Sequence, residues 1–482
     1  MKYKIPLWKH QAEAIERAKD LSSFALFMEM GTGKTSTTIN ILRYKYNSHK
    51  RVLRTLILCP PIVISNWKKE WLMHSNITPN QICELTGSAK KRLVTFNDAK
   101  SSIFVTNYEA LLMPEFYKAL QEWDIEVLIM DEMHRVKNPK AKRSKLLDIL
   151  ANPKDGDPIP IIKLGLTGTP VLNSPLDLFM QYKILDGGKT FGNNFFVFRA
   201  RYFEDKNVRM PRDRYFPNWV IKKTSLNEIN SKVALTAAIA KKSDCLDLPP
   251  FVNEVIEVEL GKEQRKHYDE MFKDFITFIE SSPGEQKAVV ATLAITKALR
   301  LQQIVSGFAK TSTGEIIRFE DNPRRDALKE LLEDLTPSHK VLVWCTFKED
   351  YETIRQVCNE LKIEFVEVHG EISPARQRVS VDSFYNNASI RVFIGHPWSG
   401  GIGINLVSAS YSIFYSRSFS LEHSLQAEAR NFRGGSEIHS KITRIDITSK
   451  NTIDEKIQKV LALKEDVSEK VLMQIGKELA NE

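Results

Sequence analysis

Cysteine is scarce in this sequence, and the spacing of the cysteines gives no sign of disulfide bonds. The 482 residues include five cysteines, at positions Cys59, Cys83, Cys245, Cys345 and Cys358, and no two of them form a CxxC pair. An odd, scattered set argues against a disulfide framework and against a zinc site, and it favours a reducing compartment. We therefore expect the cysteines to be buried apolar residues.

Long apolar runs are missing as well. No stretch approaches the roughly 18–20 apolar residues that a membrane span requires, and the N-terminal residues MKYKIPLWKH contain no signal-peptide core. We find neither an internal repeat nor a low-complexity tract. The expectation is a cytoplasmic protein without a membrane partner.

The composition is that of an ordinary globular protein, with 42% hydrophobic and 27% charged residues. A chain of this length suggests about two to four domains. The net charge of +9 permits polyanion binding without proving it. Residues 199–223 carry eight basic and three acidic residues with five aromatics interleaved. They fit either a nucleic-acid contact, with cations on phosphates and rings on bases, or a solvated face with inward aromatics.

Residues 28–35, MEMGTGKT, predict a phosphate-binding loop. A short apolar run precedes them and a stretch without Gly or Pro follows, so the loop joins a buried strand to a helix N-terminus that faces an anion. Gly31 and Gly33 allow the backbone to approach phosphates closely. Lys34 would reach the β- and γ-phosphates, and the Thr35 hydroxyl would hold Mg²⁺. The usual pattern has Gly at the first position of this stretch, where Met stands here.

A second polar cluster, residues 131–134 (DEMH), follows an apolar strand. One carboxylate at such a strand end can hold Mg²⁺ while its neighbour orients or deprotonates an attacking water. We assign Asp131 to the metal and Glu132 to the water. His134 either senses the nucleotide or is a structural histidine.

Apolar strands alternate with helical stretches over the first half of the chain, which indicates a parallel sheet with βαβ crossovers. Ligands bind at the carboxyl ends of such strands, where the polar clusters fall. The strand signal fades from about 225 to 335, and a second alternation follows. We predict an α/β protein with parallel sheets flanked by helices: residues 1–225, a helical linker or insertion at 226–335, and residues 336–482.

The second half of the chain contains two arginines that could act together with the phosphate loop. Residues 426–433, QAEARNFR, place Arg430 and Arg433 three apart, on one face of a predicted helix. Guanidinium groups that reach a γ-phosphate from a neighbouring domain stabilise transition-state charge. Without the motifs of the first half, a pair of surface arginines would be the simpler interpretation.

The ordered set of motifs resembles a superfamily 2 helicase of the Swi/Snf-like branch of DNA translocases. The match spans roughly residues 7–460. The segments that carry it, in the family's order, are residues 8–11, 28–35, 58–71, 105–109, 131–138, 166–173, 340–347, 369–384, 400–406 and 426–433. The resemblance implies two tandem RecA-like domains with ATP and Mg²⁺ between them.

The resemblance also implies roles for individual residues. The expected catalytic residues are Lys34, Asp131, Glu132, Arg430 and Arg433, with Mg²⁺ on Thr35 and Asp131. The expected nucleotide contacts are Gln11, Met30, Gly31, Thr32, Gly33, Lys34, Thr35, Ser36 and Gly403, with Gln11 on the adenine. The residues expected to couple hydrolysis to movement are His134, Thr167, Gly168, Thr169 and Gln426. The expected DNA contacts are Pro60, Asn66, Trp67, Lys68, Asn107, Tyr108, Asn173, Arg209, Arg212, Arg214, His369, Arg376, Gly400 and Asn405.

Two departures from the family pattern affect the coupling contacts. The motif over 400–406 usually begins with Thr-x-Ala, where residues 397–399 are Pro-Trp-Ser. The motif over 426–433 usually carries Asp and His, where Ala429 and Phe432 stand. Both arginines of that motif remain.

The expected function is a DNA helicase or translocase that unwinds forked or branched DNA or drives branch migration. It would be a monomeric motor in a prokaryotic or phage-infected cell, with replication or recombination proteins as candidate partners. The alternatives are a double-strand translocase that remodels protein–DNA complexes, an RNA helicase, and an ATP-gated binding module without catalysis. Intact Glu132 and both arginines argue against the last. Nucleosome remodelling is not expected, because no histone-reading module is visible.

Overall fold

The computed structural model describes residues 4–153, 159–210, 215, 217–281, 287–311, 313–397 and 405–480. Two parallel β-sheets flanked by helices make up an α/β fold, which confirms the predicted fold class. The strands are β1 (Ser23–Met28), β2 (Thr55–Cys59), β3 (Ile82–Glu84), β4 (Ile103–Asn107), β5 (Val127–Asp131), β6 (Ile162–Thr167), β7 (Phe203–Asp205), β8 (Trp219–Ile221), β9 (Ala237–Ala240), β10 (Phe251–Val258), β11 (Phe308–Lys310), β12 (Ile316–Arg318), β13 (Val341–Trp344), β14 (Glu364–Val368), β15 (Ile390–Gly395), β16 (Tyr411–Phe414) and β17 (Ile442–Ser449).

The helices pack on both faces of the sheets and supply most of the connections between parallel strands. They are α1 (Lys9–Ala18), α2 (Lys34–Ser48), α3 (Ile64–His74), α4 (Ala89–Asp98), α5 (Pro114–Glu122), α6 (Lys142–Ala151), α7 (Leu178–Asp186), α8 (Phe195–Tyr202), α9 (Ser225–Ala234), α10 (Lys242–Cys245), α11 (Lys262–Ser281), α12 (Lys287–Ser306), α13 (Pro323–Leu335), α14 (Lys348–Glu360), α15 (Pro374–Asn386), α16 (Leu421–Glu428) and α17 (Ile453–Ala480). Among the described residues, no helix has both the length and the apolar character that a bilayer crossing requires.

The first sheet has seven parallel strands in the order β3-β4-β2-β5-β6-β1-β9. Its central strands are continuous apolar runs because helices cover both faces; all five residues of β2 are buried. Strand β6 lies between β5 and β1 and pairs with both. The carboxyl ends of these three strands are therefore neighbours, and they bring together the three polar segments that follow them.

The second sheet has six parallel strands in the order β10-β17-β16-β13-β15-β14. Its core is divided between the two faces of the sheet, with Val343 and Ile413 on one side and Trp344 and Phe414 on the other. This separation follows from the alternation of side chains along each strand.

The two sheets extend into the region that the sequence predicts as a helical linker. Strand β9 pairs with β1, so the first sheet continues beyond residue 225. Strand β10 pairs with β17 at the edge of the second sheet. Three of the four residues of β9 are Ala, and β10 is interrupted by exposed Asn253 and Glu254; these residue types are depleted in strands, which explains the weak signal. The long helices α11 and α12 do lie within 226–335.

The C-terminal helix α17 connects the two domains. It begins beside β17 and reaches α9 of the first domain, where Val467 packs against the core. The beginning of α17 is held by Arg324, which is 3% exposed. The Arg324 guanidinium donates to the Tyr415 carbonyl at 2.6 Å and to Ser449 Oγ at 3.2 Å, and it pairs with Asp454. One buried cation therefore fixes three segments of the second domain.

The buried Arg324–Asp454 pair gives a stability prediction. Arg324→Met should lower the free energy of unfolding by about 3–5 kcal/mol, because it leaves the Asp454 carboxylate without its counter-charge. Lys348→Met is the matched control: Lys348 pairs with Glu371, but their side chains are 71% and 53% exposed, so the loss should stay below about 1 kcal/mol. Urea titrations followed by circular dichroism measure both. Equal losses in the two variants would contradict the role of Arg324.

Candidate active site

The loop between β1 and α2 has the backbone of a phosphate cradle. Gly31 and Gly33 adopt φ angles of 89° and 83°, in the left-handed region that glycine enters without strain. Gly33 directly precedes the first helical residue, so the N–H groups at the start of α2 point out of the loop. Lys34 Nζ donates to the Met28 carbonyl at 2.8 Å, which places its ammonium group over the loop.

Gln11 of α1 lies against this loop and is buried. Its Nε2 donates to Ser36 Oγ at 3.2 Å and to the Thr32 carbonyl at 3.4 Å, and its Oε1 accepts from the Trp8 N–H. A Cβ at Gly33 would lie 2.1 Å from Gln11 Nε2, so a side chain at position 33 would displace the Gln11 amide, and the φ angle of 83° itself favours glycine. The structure brings Gln11 to the loop backbone; its contact with adenine stays a prediction.

The two carboxylates follow β5, beside the loop. Glu132 has a φ of 54°, a left-handed conformation that costs free energy in a residue with a side chain and is common at functional sites. Asp131 Oδ2 accepts from Trp67 Nε1 at 2.9 Å. Burial and the neighbouring Glu132 charge raise the pKa of Asp131 to about 6, against the Trp67 hydrogen bond and the Lys34 charge. A cation beside the pair would relieve this repulsion.

The oxygen ligands near Asp131 fit a Mg²⁺ ion that is bound by the protein and by the phosphates of a substrate. Thr35 and Asp131 both line the cleft and would supply two hard oxygen ligands. Mg²⁺ is commonly bound by one or two protein oxygens together with substrate phosphates. Within the described part of the chain, no group of three or more His, Cys, Asp or Glu side chains could hold a metal ion by itself.

His134 connects the first domain to the second. Its Nδ1 is 2.8 Å from Thr167 Oγ1, and its Nε2 is 3.1 Å from Glu422 Oε1 on α16. Gln426 Nε2 donates to the same Glu422 carboxylate at 3.2 Å. Burial of Glu422 would raise its pKa, but the hydrogen bond and charge of His134 outweigh burial and lower the pKa to about 2. A continuous polar chain thus runs from the end of β6 to the second domain.

Gly168 and Thr169 complete the turn after β6. A Cβ at Gly168 would lie 3.2 Å from the Met28 carbonyl, so this turn packs directly on the start of the phosphate loop. The Thr169 N–H donates to Thr167 Oγ1 at 3.1 Å. Gly168 therefore contacts the loop and Thr167 contacts His134, while Thr169 is connected to His134 through Thr167.

Arg430 and Arg433 face the loop from the second domain. A Cβ at Gly31 would lie 3.4 Å from Arg433 Cβ. Arg430 is 4% exposed, and its Nε has no hydrogen-bond partner among the described residues. Burial, followed by the charge of Arg433, lowers the pKa of Arg430 to about 10, although Glu132 opposes this. Burial of a guanidinium group is costly unless charge and hydrogen-bond partners are close, so an anion would be favoured at this place in the cleft.

The predicted helix over residues 426–433 ends early. The structure ends α16 at Glu428, and both arginines lie in the turn that follows. The Arg430 carbonyl accepts from the Leu406 N–H at 3.0 Å, and Asn431 Nδ2 donates to the Ala409 carbonyl at 3.2 Å. The Phe432 N–H still donates to the Glu428 carbonyl at 3.1 Å, but the Arg430 carbonyl is bonded outside the helix, and both arginines line the cleft.

The cleft between the domains has a volume of about 710 Å³, which is in the range of small-molecule sites. Its walls include the loop, both carboxylates and both arginines, together with Asn66, Glu70 and Gln377. Met30 and Ser36 also line it, as predicted nucleotide contacts, while Thr32 is buried within the loop. The structure therefore collects most of the predicted nucleotide-site residues in one interdomain cleft.

Several predicted DNA contacts lie inside the protein instead. Trp67 and Tyr108 are at most 1% exposed. Trp67 is on the inner face of α3, and the Tyr108 hydroxyl donates to the Asp131 carbonyl at 2.8 Å. His369 is also buried and stacks on Tyr351, with ring centroids 4.2 Å apart. Pro60 and Asn107 are buried as well. Such side chains do not form a DNA-facing surface, which differs from the sequence-based expectation.

Of the other predicted DNA contacts, some lie at the protein surface and others lie outside the described residues. Exposed side chains belong to Asn66, Asn173, Arg209, Arg376 and Asn405, and Lys68 is half-buried. Arg212, Arg214, Gly400 and Gly403 lie outside the described residues.

The basic aromatic stretch over residues 199–223, which the sequence predicts to be either a nucleic-acid contact or a solvated face with inward aromatics, has features of both. Tyr202 and Phe203 are buried, and Arg199 lies 4.0 Å from the centroid of Trp219. Arg201 and Arg209 remain exposed. Tyr202, Phe203 and Trp219 therefore pack inward or against a cation, the Tyr215 hydroxyl donates to the Asp205 carboxylate, and Arg201 and Arg209 stay on the surface.

Lys242 is a site residue that sequence reasoning missed. Its N–H donates to Glu29 Oε2 at 2.9 Å, and its Nζ donates to the Phe432 carbonyl of the second domain at 3.1 Å. Burial lowers the pKa of Lys242 to about 8. The residue lies in the region predicted as a linker and belongs to no recognised motif, so only the tertiary structure reveals it. Glu422, which lies in the predicted second domain just before the motif over 426–433, was also missed, because only the tertiary structure brings it to His134.

Comparison with known proteins gives consistent findings. The family model of the SNF2-related domain matches residues 14–306, and that of the helicase conserved C-terminal domain matches residues 323–435. An uncharacterized ATP-dependent helicase of Mycoplasma genitalium is 26% identical over 97% of this chain, which spans 42% of that protein. The putative protein p41 of Acyrthosiphon pisum secondary endosymbiont phage 1 is 27% identical over 92% of this chain and 93% of its own.

Among solved structures, the SWI2/SNF2 ATPase core of Sulfolobus solfataricus in complex with dsDNA aligns with 99% of this chain and 97% of its own. The identity is 21% and the TM-score is 0.44. The SNF2-related model alone covers more than half of the 482 residues. The chain therefore belongs to the SNF2-related family.

Proposed function

We propose that this protein hydrolyses ATP in the interdomain cleft and couples the reaction to movement on DNA. The observation that carries the proposal is the pair Arg430, which is buried, and Arg433, which is half-buried, both lining the cleft opposite the phosphate loop of the other domain. Guanidinium groups in that position bind a γ-phosphate and stabilise the charge that develops as it is transferred. The two domains must meet for these groups to act.

Each residue of the cleft has a defined task in this mechanism. The N–H groups of the loop and Lys34 bind the phosphates, and Thr35 and Asp131 would hold Mg²⁺, which neutralises phosphate charge when bound. Glu132 accepts a proton from the attacking water or orients it.

Movement follows from the contacts that cross the cleft. The chain from Thr167 through His134 to Glu422 links the turn after β6 to α16 of the second domain. Closing the cleft around ATP would form these contacts together with the arginine contacts, and product release would break them. Alternation between the two states shifts one domain relative to the other along a bound strand.

Exposed polar and basic groups of both domains support DNA as the track. Asn66 and Asn173 of the first domain and Arg376 and Asn405 of the second are exposed. Contacts of this kind go mostly to phosphate and are largely independent of sequence, so binding should weaken strongly with salt. Strand separation at forks or branches is the favoured output, and double-strand translocation without separation is the second candidate.

The assignment of the phosphate and water roles predicts two separable losses. Lys34→Ala should weaken ATP binding and reduce DNA-stimulated hydrolysis by about 100-fold or more, because it removes a charge from the phosphates. Glu132→Gln should bind ATP normally but hydrolyse it about 10²–10⁴-fold more slowly, since the base is lost. Equilibrium nucleotide binding and phosphate release measure the two steps. Lys118→Ala is the control, because that side chain is 77% exposed. Wild-type DNA stimulation of ATP hydrolysis in Lys34→Ala would refute the assignment.

The two arginines give a prediction that separates binding from chemistry. Arg430→Ala and Arg433→Ala should each lower kcat about 10³-fold or more with little change in KM, because arginine fingers act on the transition state. Arg433→Lys should recover only part of the loss, since lysine lacks the bidentate fork. A rise in KM with an unchanged kcat would show that the arginines serve ground-state binding instead.

The basic stretch gives a prediction about whether the protein separates DNA strands. If residues 199–223 contact a fork, Arg209→Ala combined with Arg212→Ala and Arg214→Ala should reduce strand displacement more than DNA-stimulated ATP turnover. A panel of single-strand, duplex, fork and four-way-junction DNA, assayed for both activities, measures this difference. An equal reduction of both activities would count against a fork contact. Displacement on none of the substrates, with duplex-stimulated hydrolysis retained, would favour the double-strand translocase.

A further inference from the structure

Two buried aromatic side chains converge on Asp131. The indole Nε1 of Trp67 donates to Asp131 Oδ2 at 2.9 Å, and the hydroxyl of Tyr108 donates to the Asp131 carbonyl at 2.8 Å. Trp67 is 1% exposed and Tyr108 is fully buried. One aromatic thus fixes the carboxylate and the other fixes the backbone of the same residue.

The two aromatics come from separate segments at the edge of the cleft. Trp67 lies on α3, next to exposed Asn66, which lines the cleft. Tyr108 follows β4, next to Glu109, which also lines the cleft. Strand β2, which precedes α3, pairs with both β4 and β5. Trp67 packs in the core on one face of the first sheet and Tyr108 in the core on the other face, so the two aromatics reach Asp131 from opposite faces. Their convergence is a property of the fold.

We propose that Trp67 and Tyr108 are positioning residues that set the Asp131 carboxylate for Mg²⁺–nucleotide binding. The proposal rests on the proposed function, because it takes Asp131 as a ligand of the metal. It assigns to both aromatics a role beneath the nucleotide site in place of the DNA contact that the sequence predicts.

The indole N–H of Trp67 restrains the Asp131 carboxylate at Oδ2. A backbone hydrogen bond from Glu132 also acts on this carboxylate, and the Glu132 charge repels it. Without the indole N–H, the carboxylate loses one of the hydrogen bonds that orient it for a metal ion. Hydrogen-bond partners of metal ligands typically contribute 10–100-fold to metal affinity. Trp67 therefore has an energetic role beyond filling the core.

Trp67→Phe tests the proposal because it keeps most of the buried ring and removes the N–H donor. The measurement is the fluorescence of a methylanthraniloyl-ATP probe, titrated with Mg²⁺ in the absence of DNA and repeated in EDTA. The Mg²⁺ concentration for half-maximal binding should rise about tenfold or more, while binding of the probe in EDTA should be unchanged. A purely structural role would weaken both titrations together.

Trp71→Phe is a matched control on the same helix. Trp71 is also fully buried, and it stacks on Tyr46 with ring centroids 6.1 Å apart. Its Nε1 has no hydrogen-bond partner in the part of the chain that the structure describes. The Phe substitution therefore removes the same ring atoms without removing a hydrogen bond, and it should leave the Mg²⁺ requirement unchanged.

Tyr108→Phe should produce a smaller shift of the same sign, because its hydroxyl holds the backbone of Asp131. Tyr117→Phe is its control, since the Tyr117 hydroxyl also donates to a carbonyl, that of Leu146 at 2.8 Å, but outside the cleft. A Trp67→Phe titration that superimposes on the wild type would overturn the proposal, as would an equal shift in Trp71→Phe. If the wild type itself binds the probe without any Mg²⁺ dependence, the proposed function fails instead.

Discussion

Positive charge is concentrated at the domain boundary. Arg430 is buried, its Nε has no hydrogen-bond partner among the described residues, and Arg433 lies against Gly31 of the opposite domain. Glu132 is the carboxylate whose charge acts on Arg430. A buried guanidinium group is costly unless an anion is close, and the N–H groups at a helix N-terminus favour an anion. We propose that the phosphoryl group under transfer supplies this anion between the two domains.

The rest of the molecule positions the groups that line the cleft. Strands β1, β6 and β5 are adjacent, so the loop, the Thr167 turn and the carboxylate pair share one sheet edge. The polar chain through His134 and Glu422 and the Lys242 hydrogen bond to Phe432 add further links across the cleft. Helix α17 connects the domains again, at a distance from the site. The cleft is thus one element of an interface with several independent contacts.

Sequence patterns predict some of these features because their causes are local. Apolar runs ended by polar residues identify the central strands, and parallel pairing then places Lys34, Asp131 and Thr167 together. Features with tertiary causes were not predictable. The end of α16 depends on a hydrogen bond to Leu406, the inward turn of Trp67 depends on Asp131, and the Ala-rich β9 forms a strand only because β1 offers it a partner.

The central claim is that the second domain completes the site for phosphoryl transfer, and a transition-state analogue tests it most directly. The affinity for ADP with aluminium fluoride should be measured, in the presence of Mg²⁺ and DNA, for the wild type and for Arg433→Ala. We expect the wild type to bind the analogue at least about 100-fold more tightly than ADP alone, and Arg433→Ala to lose that preference while retaining its affinity for ADP. An undiminished preference in Arg433→Ala would contradict the account.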